Sequence, residues 1–400
     1  MPTTGLRAWV LLSLALLLCA TSFTAIAQQG PGPGPGGAPQ PLAGLTIAER
    51  QAFAEGARVF ARRYTVAEGL GPVFNDDSCA GCHRGGGGGP RRVTRIGRIA
   101  DGRFDDLAEL GGSLLQARGI GAVPTAEGTW EFLGETVPGD ATVVVPRRSQ
   151  PLFGLGLVGA VPEATLQAIA DEQAAADPGT AGRVARFFDP AAGGEVVGRF
   201  GWKAQVPSLR AFSGDALLNE LGITSPGFRD EVCPQGNCAA LAFNPAPALN
   251  DDGRDAAAIA DFMTMLAPPA RGPVTEAVRR GEEVFHALGC ATCHRPSLTT
   301  GDHMIRALAR VTFQPYSDFL LHDMGRLGDG IAQGAAGAAE MRTAPLWGLA
   351  NETRFLHDGS TDSLEEAITR HAGQAREARQ RFTALATDAR DALLAFLGSL

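Results

Sequence analysis

Apolar residues recur at helical spacing in four stretches of the chain and at alternate positions in a fifth. Apolar positions three or four residues apart predict α-helices, whereas alternation with β-branched and aromatic residues predicts strands. The predicted helices cover Ile47–Tyr64, Val161–Ala175, Asp255–Leu266 and Val274–Leu288, and the alternating stretch Thr129–Val145 predicts a small β-hairpin. The chain is therefore expected to be mainly α, with the hairpin as an insertion.

A further helix is predicted after Ser363-Leu-Glu-Glu366. This sequence has the form of a capping box, in which the serine and glutamate side chains bind the first free backbone amides of a helix. On that helix His371 shares one apolar face with Leu364 and Ile368. A histidine that completes an apolar face is more often a hydrogen-bonded core residue than a metal ligand, so the pattern alone leaves His371 open.

Two of the predicted helices belong to a weak internal repeat. Gly56-Ala-Arg-Val-Phe60 and Gly281-Glu-Glu-Val-Phe285 each lie upstream of a C-x-x-C-H sequence. The repeat predicts two cytochrome c-like haem domains joined by a less regular middle region.

The C-x-x-C-H sequence is the attachment signature of c-type haem. Its two thiols form thioethers with the porphyrin, and the histidine becomes the proximal iron ligand. A zinc half-site or a redox C-x-x-C is the alternative for one copy, but a second copy is far rarer by chance. Two covalently attached c-type haems are predicted, on Cys79, Cys82 and His83, and on Cys290, Cys293 and His294.

The first 44 residues carry features of export rather than of a folded core. Residues 1–27 read as a signal peptide, with Arg7, an apolar segment and an Ala-x-Ala end, and residues 28–44 form a Pro/Gly linker. An uncleaved membrane anchor is the alternative for residues 1–27, although the uncharged stretch is short for a span. The mature protein is expected to be periplasmic, with no membrane span after signal cleavage.

The remaining residues are enough for two domains. The double proline at 268–269 marks the expected boundary, which gives an N-terminal haem domain with insertions over 45–270 and a C-terminal cytochrome c-like haem domain over 271–400.

Composition narrows the possible partners and adds one expected covalent link. The formal net charge of −8 argues against nucleic acid or an anionic membrane as a partner. Glycine and proline, 52 and 26 residues, predict long loops between the helices. Cys233 and Cys238 are spaced for a short disulfide loop, with a redox-active disulfide as the alternative.

Three motifs beyond the haem signatures resemble the bacterial di-haem oxidoreductase family, whose members are named peroxidases and sometimes thiol oxidoreductases. They begin at Gly198-Arg-Phe-Gly-Trp202, Tyr316-Ser-Asp-Phe-Leu320 and Arg342-Thr-Ala-Pro-Leu346. More distantly, the chain is similar to di-haem cytochrome c peroxidases and to the di-haem enzyme that matures methylamine dehydrogenase. In those relatives one haem meets peroxide, the other relays electrons, and a tryptophan lies between them.

The resemblance implies roles for three residues. Trp202 sits where the relatives place the tryptophan between the haems. Glu220 lies two positions before the place of their distal acid, and is the candidate that handles protons. His371 falls where the peroxidases carry the axial methionine of the second haem, which implies a His/His iron there. Met324 is the other candidate for this sixth ligand.

The chain also departs from the family. No histidine follows His83 until His286, so the first haem is expected to be open, unless His322 or His357 reaches it from afar. The acidic, glycine-rich loop that the family often carries near residues 170–182 is largely lost, which makes a calcium ion there doubtful.

Five further residues have weaker claims to a function. Glu131 and Glu135 are runner-up distal acids, although their place in the hairpin explains them without function. Lys203, the sole lysine, is expected to pair with a haem propionate or another carboxylate, or to have no special role. His286 and His303 are expected to be packing or surface residues.

Together these features predict a peroxidase-like oxidoreductase with an open, reactive N-terminal haem and an electron-relay C-terminal haem. A distal carboxylate would move a proton between the oxygens of peroxide. The expected partners are a small periplasmic electron carrier, a cytochrome c or a cupredoxin, and peroxide or another small molecule. The alternatives are a di-haem electron-transfer cytochrome without catalysis, and an enzyme that oxidises an organic, thiol or protein substrate.

Overall fold

The computed structural model describes residues 38–89, 91–126, 128–247 and 249–400, so the predicted signal peptide and the first ten residues of the predicted linker lie outside it. The α-helices are α1 Ile47–Ala61, α2 Cys79–Cys82, α3 Leu155–Gly159, α4 Glu163–Ala176, α5 Leu209–Leu221, α6 Arg254–Met265, α7 Glu276–Ala287, α8 Leu364–Thr369, α9 Arg376–Thr383 and α10 Thr387–Leu397. The four helices predicted from apolar spacing appear as α1, α4, α6 and α7, with ends shifted by up to three residues.

Short strands accompany the helices, and they form six small sheets within the described residues. They are β1 Val73–Phe74, β2 Arg92–Ala100, β3 Arg103–Asp105, β4 Leu114–Leu115, β5 Arg118–Gly119, β6 Gly121–Thr125, β7 Gly128–Phe132, β8 Val143–Arg148, β9 Arg186–Asp189, β10 Gly194–Val197, β11 Leu298–Thr299, β12 Thr312–Phe313, β13 Leu321–Asp323 and β14 Glu340–Arg342. Single 3₁₀ turns join many of these elements, among them Cys290–Thr292. In the described part of the chain, no helix is long and apolar enough to cross a membrane.

The predicted hairpin over Thr129–Val145 is wrong in its pairing. Both strands exist, but β7 pairs with β6, which directly precedes it. Strand β8 pairs with the distant β2, in a register that runs from Arg92 opposite Arg148 to Gly97 opposite Val143. Pro124 lies inside β6 and weakens the strand signal there, because proline lacks the amide that a ladder uses. Pairing between β2 and β8 depends on contacts across about fifty residues of chain, which local alternation does not encode.

Two helix pairs are built in the same way around the glycines of the internal repeat. A Cβ added to Gly56 of α1 would stand 2.1 Å from the carbonyl oxygen of Ala258 in α6. A Cβ added to Gly281 of α7 would stand 2.0 Å from the carbonyl oxygen of Ala392 in α10. Glycine is required at both positions because the two backbones touch there. The sequence repeat is therefore also a structural repeat.

The helix pairs lie in two separate apolar cores. The larger core contains the α1–α6 pair with α4 and α5, and it also takes in Leu298, Phe313 and Trp347 from the later part of the chain. The smaller core contains the α7–α10 pair, with Phe285 and Phe396 at its centre. Each C-x-x-C-H sequence packs against its own core, since Cys79 borders the larger one and Cys290 the smaller one.

A buried ionic cluster ties the middle region to the loop before β14. Asp329 pairs with Arg147 at 2.6 Å and with Lys203 at 2.9 Å, and all three side chains are less than 5% exposed. The Lys203 ammonium also donates to the carbonyl oxygens of Gly337 and Ala338. Lys203 thus has a carboxylate partner within the protein, the second of the roles predicted for it.

Candidate functional site: two C-x-x-C-H centres

At the first centre, the histidine is held by a backbone carbonyl. The short helix α2 carries Cys79 and Cys82, and His83 follows it. The Nδ1 atom of His83 lies 2.9 Å from the carbonyl oxygen of Gln150. Because a carbonyl only accepts hydrogen bonds, the proton lies on Nδ1 and the Nε2 lone pair is free, as in histidines that bind metals. The Phe60 ring lies 6.3 Å from the His83 ring.

The second centre repeats this geometry. Cys290 and Cys293 lie at the Cys290–Thr292 turn, and the Nδ1 atom of His294 lies 3.0 Å from the carbonyl oxygen of Tyr316. The Phe285 ring lies 6.5 Å from the His294 ring, tilted by 54° where the first pair is tilted by 56°. Both histidines are therefore oriented alike and leave Nε2 free.

The protonation of these residues fits ligand and thioether roles better than redox-thiol chemistry. Burial raises the pKa of Cys79 and Cys82 to about 12 and that of Cys290 to about 11. A redox-active cysteine needs a lowered thiol pKa, so the alternative of a redox pair is disfavoured. Burial lowers the pKa of His83 and His294 to about 4, which keeps both imidazoles in the neutral form that binds iron.

A largely apolar cavity of about 470 Å³ opens at the second centre. Its volume is within the range of about 300–1,000 Å³ that is typical of cofactor and small-molecule sites. The potential sixth ligands His371 and Met324 lie in its wall together with His294. The residues present thus fit a haem, with one fixed imidazole and two candidate ligands around the same space.

The structure places His371 differently from the sequence prediction. Helix α8 ends at Thr369, and Arg370 caps it, so His371 follows the helix rather than continuing its apolar face. Gly373, with φ of +55°, allows the chain to turn just beyond. The Nδ1 atom of His371 lies 2.8 Å from the carbonyl oxygen of Ala367, so His371 is held in the same way as His83 and His294.

His322 and His357, the candidates for a distant ligand of the first haem, both line the cavity of the second centre. His322 is buried between Asp318 and Cys293, with Nε2 2.9 Å from the Asp318 carboxylate and Nδ1 3.6 Å from the Cys293 sulfur. Burial alone would lower the pKa of His322, but Asp318 and Cys293 outweigh it and raise the pKa to about 11. Cys293, Asp318 and His322 are close enough to form a small metal site, although Cys293 cannot serve as a thiolate ligand if it carries haem.

Trp202 lies in the cavity wall and is linked to the first centre through one short segment. Its indole Nε1 donates to the carbonyl oxygen of Arg148 at 3.0 Å. The carbonyl of Gln150, two residues further on, accepts from His83 at 2.9 Å. The edge of the Trp202 ring also meets His357, with ring centroids 6.3 Å apart. Trp202, in the wall of the second cavity, is therefore bonded two residues away from the carbonyl that holds His83.

Glu220, at the end of α5, lies beside the first centre. Asn75 donates to its carboxylate at 2.9 Å. Burial raises the pKa of Glu220, while the nearby Arg95 and the Asn75 hydrogen bond oppose the shift. The Glu220 charge in turn helps to raise the pKa of Cys82, which places the carboxyl within electrostatic reach of the attachment site.

The weaker candidates have structural or surface positions. Glu135 accepts from the backbone amides of Gln116 and Gln235 at 2.8 and 2.6 Å, and Gln235 lies in the loop closed by the Cys233–Cys238 disulfide. This bonding explains Glu135 without catalysis. The exposed candidates are Glu131, His286 and His303. The His303 side chain accepts a hydrogen bond from the backbone amide of Ile305.

Several buried polar residues near the two centres escaped the sequence analysis. Asp318 binds His322 and Gln173, and Arg342 lines the second cavity from β14. Arg95 lies near Glu220 on the unpredicted strand β2. Asp318 and Arg342 lie in the family-like motifs that begin at Tyr316 and at Arg342, so position within a motif is the sequence signal that points to them.

The sequence profile of the family described as "Di-haem oxidoreductase, putative peroxidase" matches residues 136–400. No curated protein matches the chain in sequence.

Solved structures that match this chain include a MauG-like protein associated with microbial copper homeostasis, at 17% identity and a TM-score of 0.39, over 92% of this chain and 93% of that one. The diheme peroxidase BthA from Burkholderia thailandensis E264 is 18% identical with a TM-score of 0.41, over 88% of this chain and 86% of that one. The Kuenenia stuttgartiensis hydrazine synthase is 12% identical with a TM-score of 0.34, over 99% of this chain and 100% of that one.

Proposed function

Because this chain belongs to the di-haem oxidoreductase family, we propose that it is a periplasmic, peroxidase-like oxidoreductase with two covalent c-type haems. Family membership indicates haem iron as the cofactor. The observation that carries the proposal is the repeated centre, in which a C-x-x-C-H histidine binds a backbone carbonyl through Nδ1 and packs near a phenylalanine.

The residues that would hold the two haems follow from these centres. The N-terminal haem would be attached to Cys79 and Cys82 with His83 as proximal ligand. The C-terminal haem would be attached by the two cysteines before His294. When bound, haem supplies the redox chemistry and, where one iron position is free, the binding of peroxide. The protein supplies ligand orientation, access and proton transfer.

Proton transfer is assigned to Glu220. Burial raises its pKa, which favours a protonated carboxyl that can donate and later accept a proton. The Asn75 amide holds one carboxylate oxygen of Glu220 at 2.9 Å. General acid–base catalysis of this kind typically contributes about 10²–10⁴-fold to rate.

The C-terminal haem is assigned to electron relay. His371 is held through Nδ1 in the wall of the cavity that also contains His294, which leaves its Nε2 as the ligand atom, and we therefore assign the sixth-ligand role to His371 rather than to Met324. A His/His iron has a lower potential than a His/Met iron and stabilises the oxidised state. Trp202, bonded to the Arg148 carbonyl, is placed to couple the two centres.

The physiological setting follows from the N-terminal sequence. A signal peptide over residues 1–27 implies export to the periplasm, where c-type haem is attached. A small cytochrome c or cupredoxin would supply electrons there. The net charge of −8 favours a carrier with a basic contact surface.

Two measurements on the mature holoprotein test the proposal. The intact mass should exceed that of the polypeptide by two haem groups, and one haem or none would refute it. The resting optical and EPR spectra should show one high-spin and one low-spin haem. Two low-spin haems would instead favour a di-haem cytochrome that transfers electrons without catalysis.

Substrate class needs a separate experiment. Stopped-flow mixing with peroxide should change the high-spin spectrum rapidly, and Glu220→Gln should slow this change while both haems stay attached. A high-spin haem that does not respond to peroxide would point to an organic, thiol or protein substrate.

A further inference from the structure

A buried arginine in the wall of the second cavity has no carboxylate partner. Arg342 is 5% exposed, and it lines the cavity together with His294 and His371. Its guanidinium donates to two backbone carbonyls, to Gly201 at 2.8 Å and to Thr343 at 3.4 Å. No Asp or Glu among the described residues forms an ion pair with it.

This arrangement leaves a positive charge uncompensated. Burial lowers the pKa of Arg342 to about 10, and Asp318 opposes the shift from beyond ion-pair distance. Arg342 therefore remains cationic at neutral pH. Asp318 itself is already paired with His322 at 2.9 Å. A buried guanidinium is costly unless an anion and hydrogen-bond acceptors surround it. The Phe319 ring lies 5.4 Å from this guanidinium, but among the described residues no carboxylate pairs with it.

The other arginines of the cavity differ from Arg342. Arg148 pairs with Glu352, and Arg381 pairs with Glu377 at 3.0 Å. The remaining two are exposed or half-exposed and can be solvated by water; they are Arg354 and Arg379. Arg342 is thus the buried cavity arginine whose charge the described protein groups do not neutralise.

We propose that Arg342 binds a propionate of the C-terminal haem, an inference that rests on the proposed haem at Cys290 and Cys293. A propionate is a carboxylate on a planar ring, and the guanidinium fork matches carboxylate geometry in two parallel hydrogen bonds. The bound ring would bring this anion into the cavity that Arg342 lines. Arg342 is also bonded to the Trp202 backbone, because its own backbone amide donates to the Trp202 carbonyl at 2.9 Å.

The pairing has an electrochemical consequence. Reduction adds one electron to the haem, and a nearby cation stabilises that electron. Arg342 should therefore raise the reduction potential of the C-terminal haem and offset part of the lowering expected from His/His ligation. Removing the charge while keeping the haem should make this haem harder to reduce.

The test is spectroelectrochemical titration of the holoprotein and of three variants, after the haem content of each is measured. In R342Q the equilibrium constant for reduction of the C-terminal haem should fall about tenfold, which is about 59 mV for one electron. R342K, which keeps the charge, should stay near the wild type. R183Q is the matched control, because Arg183 lies on the surface and already pairs with Glu340 at 2.5 Å.

An unchanged potential in R342Q, with both haems attached, would overturn the inference and leave Arg342 as a tether for Gly201 and Thr343. Absence of the second haem from the wild type would instead refute the proposed function. If R342Q does not fold, the resonance Raman spectrum of R342K tests the inference instead. Lysine cannot form the bidentate contact of arginine, so the propionate-bending band of R342K should move from its wild-type position. A band at the wild-type position would also overturn the inference.

Discussion

Replacing Gly281 by alanine tests the structural repeat on which both C-x-x-C-H centres depend. The new Cβ would stand 2.0 Å from the carbonyl oxygen of Ala392 and 2.7 Å from the Cβ of Phe396. Both distances are far below van der Waals contact, so α7 and α10 would have to separate by roughly 1 Å. Since the obstacle includes backbone, no rotamer change relieves it.

The size of the effect follows from the side chains that are buried between α7 and α10. Phe285 and Phe396 pack across it with ring centroids 5.2 Å apart, and Val278 and Leu393 belong to the same core. A gap of 0.5–1 Å forfeits roughly a quarter to a half of the dispersion energy across it. Overpacking costs typically about 1–3 kcal/mol, and the better helix propensity of alanine returns up to about 1 kcal/mol. Because the new Cβ meets backbone at 2.0 Å, the cost lies at the upper end of this range, and we expect a net loss of about 2 kcal/mol.

The assay is urea unfolding of the holoprotein followed by circular dichroism, together with its melting temperature. A loss of about 2 kcal/mol should lower the melting temperature of a domain the size of residues 271–400 by roughly 6–8 °C. Gly56→Ala should behave similarly, because its Cβ would meet the Ala258 carbonyl at 2.1 Å. Gly139→Ala is the control, since nothing lies within 4 Å of its added Cβ. If Gly281→Ala unfolds at the wild-type urea concentration, the close crossing of α7 and α10 is wrong.

Three further variants test the second centre and its surroundings. His371→Ala should convert one low-spin haem to high spin in the EPR spectrum, and a persisting low-spin signal would make Met324 the ligand. Trp202→Phe should keep both haems but slow electron transfer between them in stopped-flow measurements, and unchanged kinetics would leave Trp202 with a packing role. Burial lowers the pKa of His322, whereas Asp318 raises it, and in the holoprotein Cys293 would be an uncharged thioether, so Asp318 is the group that holds this pKa above 6.5. The pairing with Asp318 then stabilises the fold fully below about pH 6.5 and progressively less as pH rises through the raised pKa. Urea resistance should therefore fall as pH rises above about 7 in the wild type and less steeply in His322→Gln, whereas parallel slopes would contradict the raised pKa.

Local patterns in the sequence were sufficient for five of the helices and for the C-x-x-C-H sequences, but they did not predict α3, α5, α9 and α10. Strong apolar spacing located α1, α4, α6 and α7, because each buries one stripe against a neighbour. The family motifs led to three residues that the structure places at or beside the two centres, Trp202, Glu220 and His371.

What escaped prediction depends on contacts that are distant in the chain. Strand β2 is rich in arginine and becomes a strand because it pairs with β8. The end of α8 before His371 reflects the turn at Gly373 more than any helix propensity. Arg342 begins a family-like motif, but its burial beside Gly201 without a carboxylate partner becomes visible only in the structure.

The spacing of two carbonyls at the end of β8 limits how this protein can be altered. The carbonyls of Arg148 and Gln150, two residues apart, accept hydrogen bonds from Trp202 and His83. Inserting or deleting one residue between them would displace one carbonyl and deprive either the indole or the imidazole of its acceptor. A change of length within β8 would shift its pairing with β2, so length variation is expected before β8 or after residue 150, but not between residues 143 and 150.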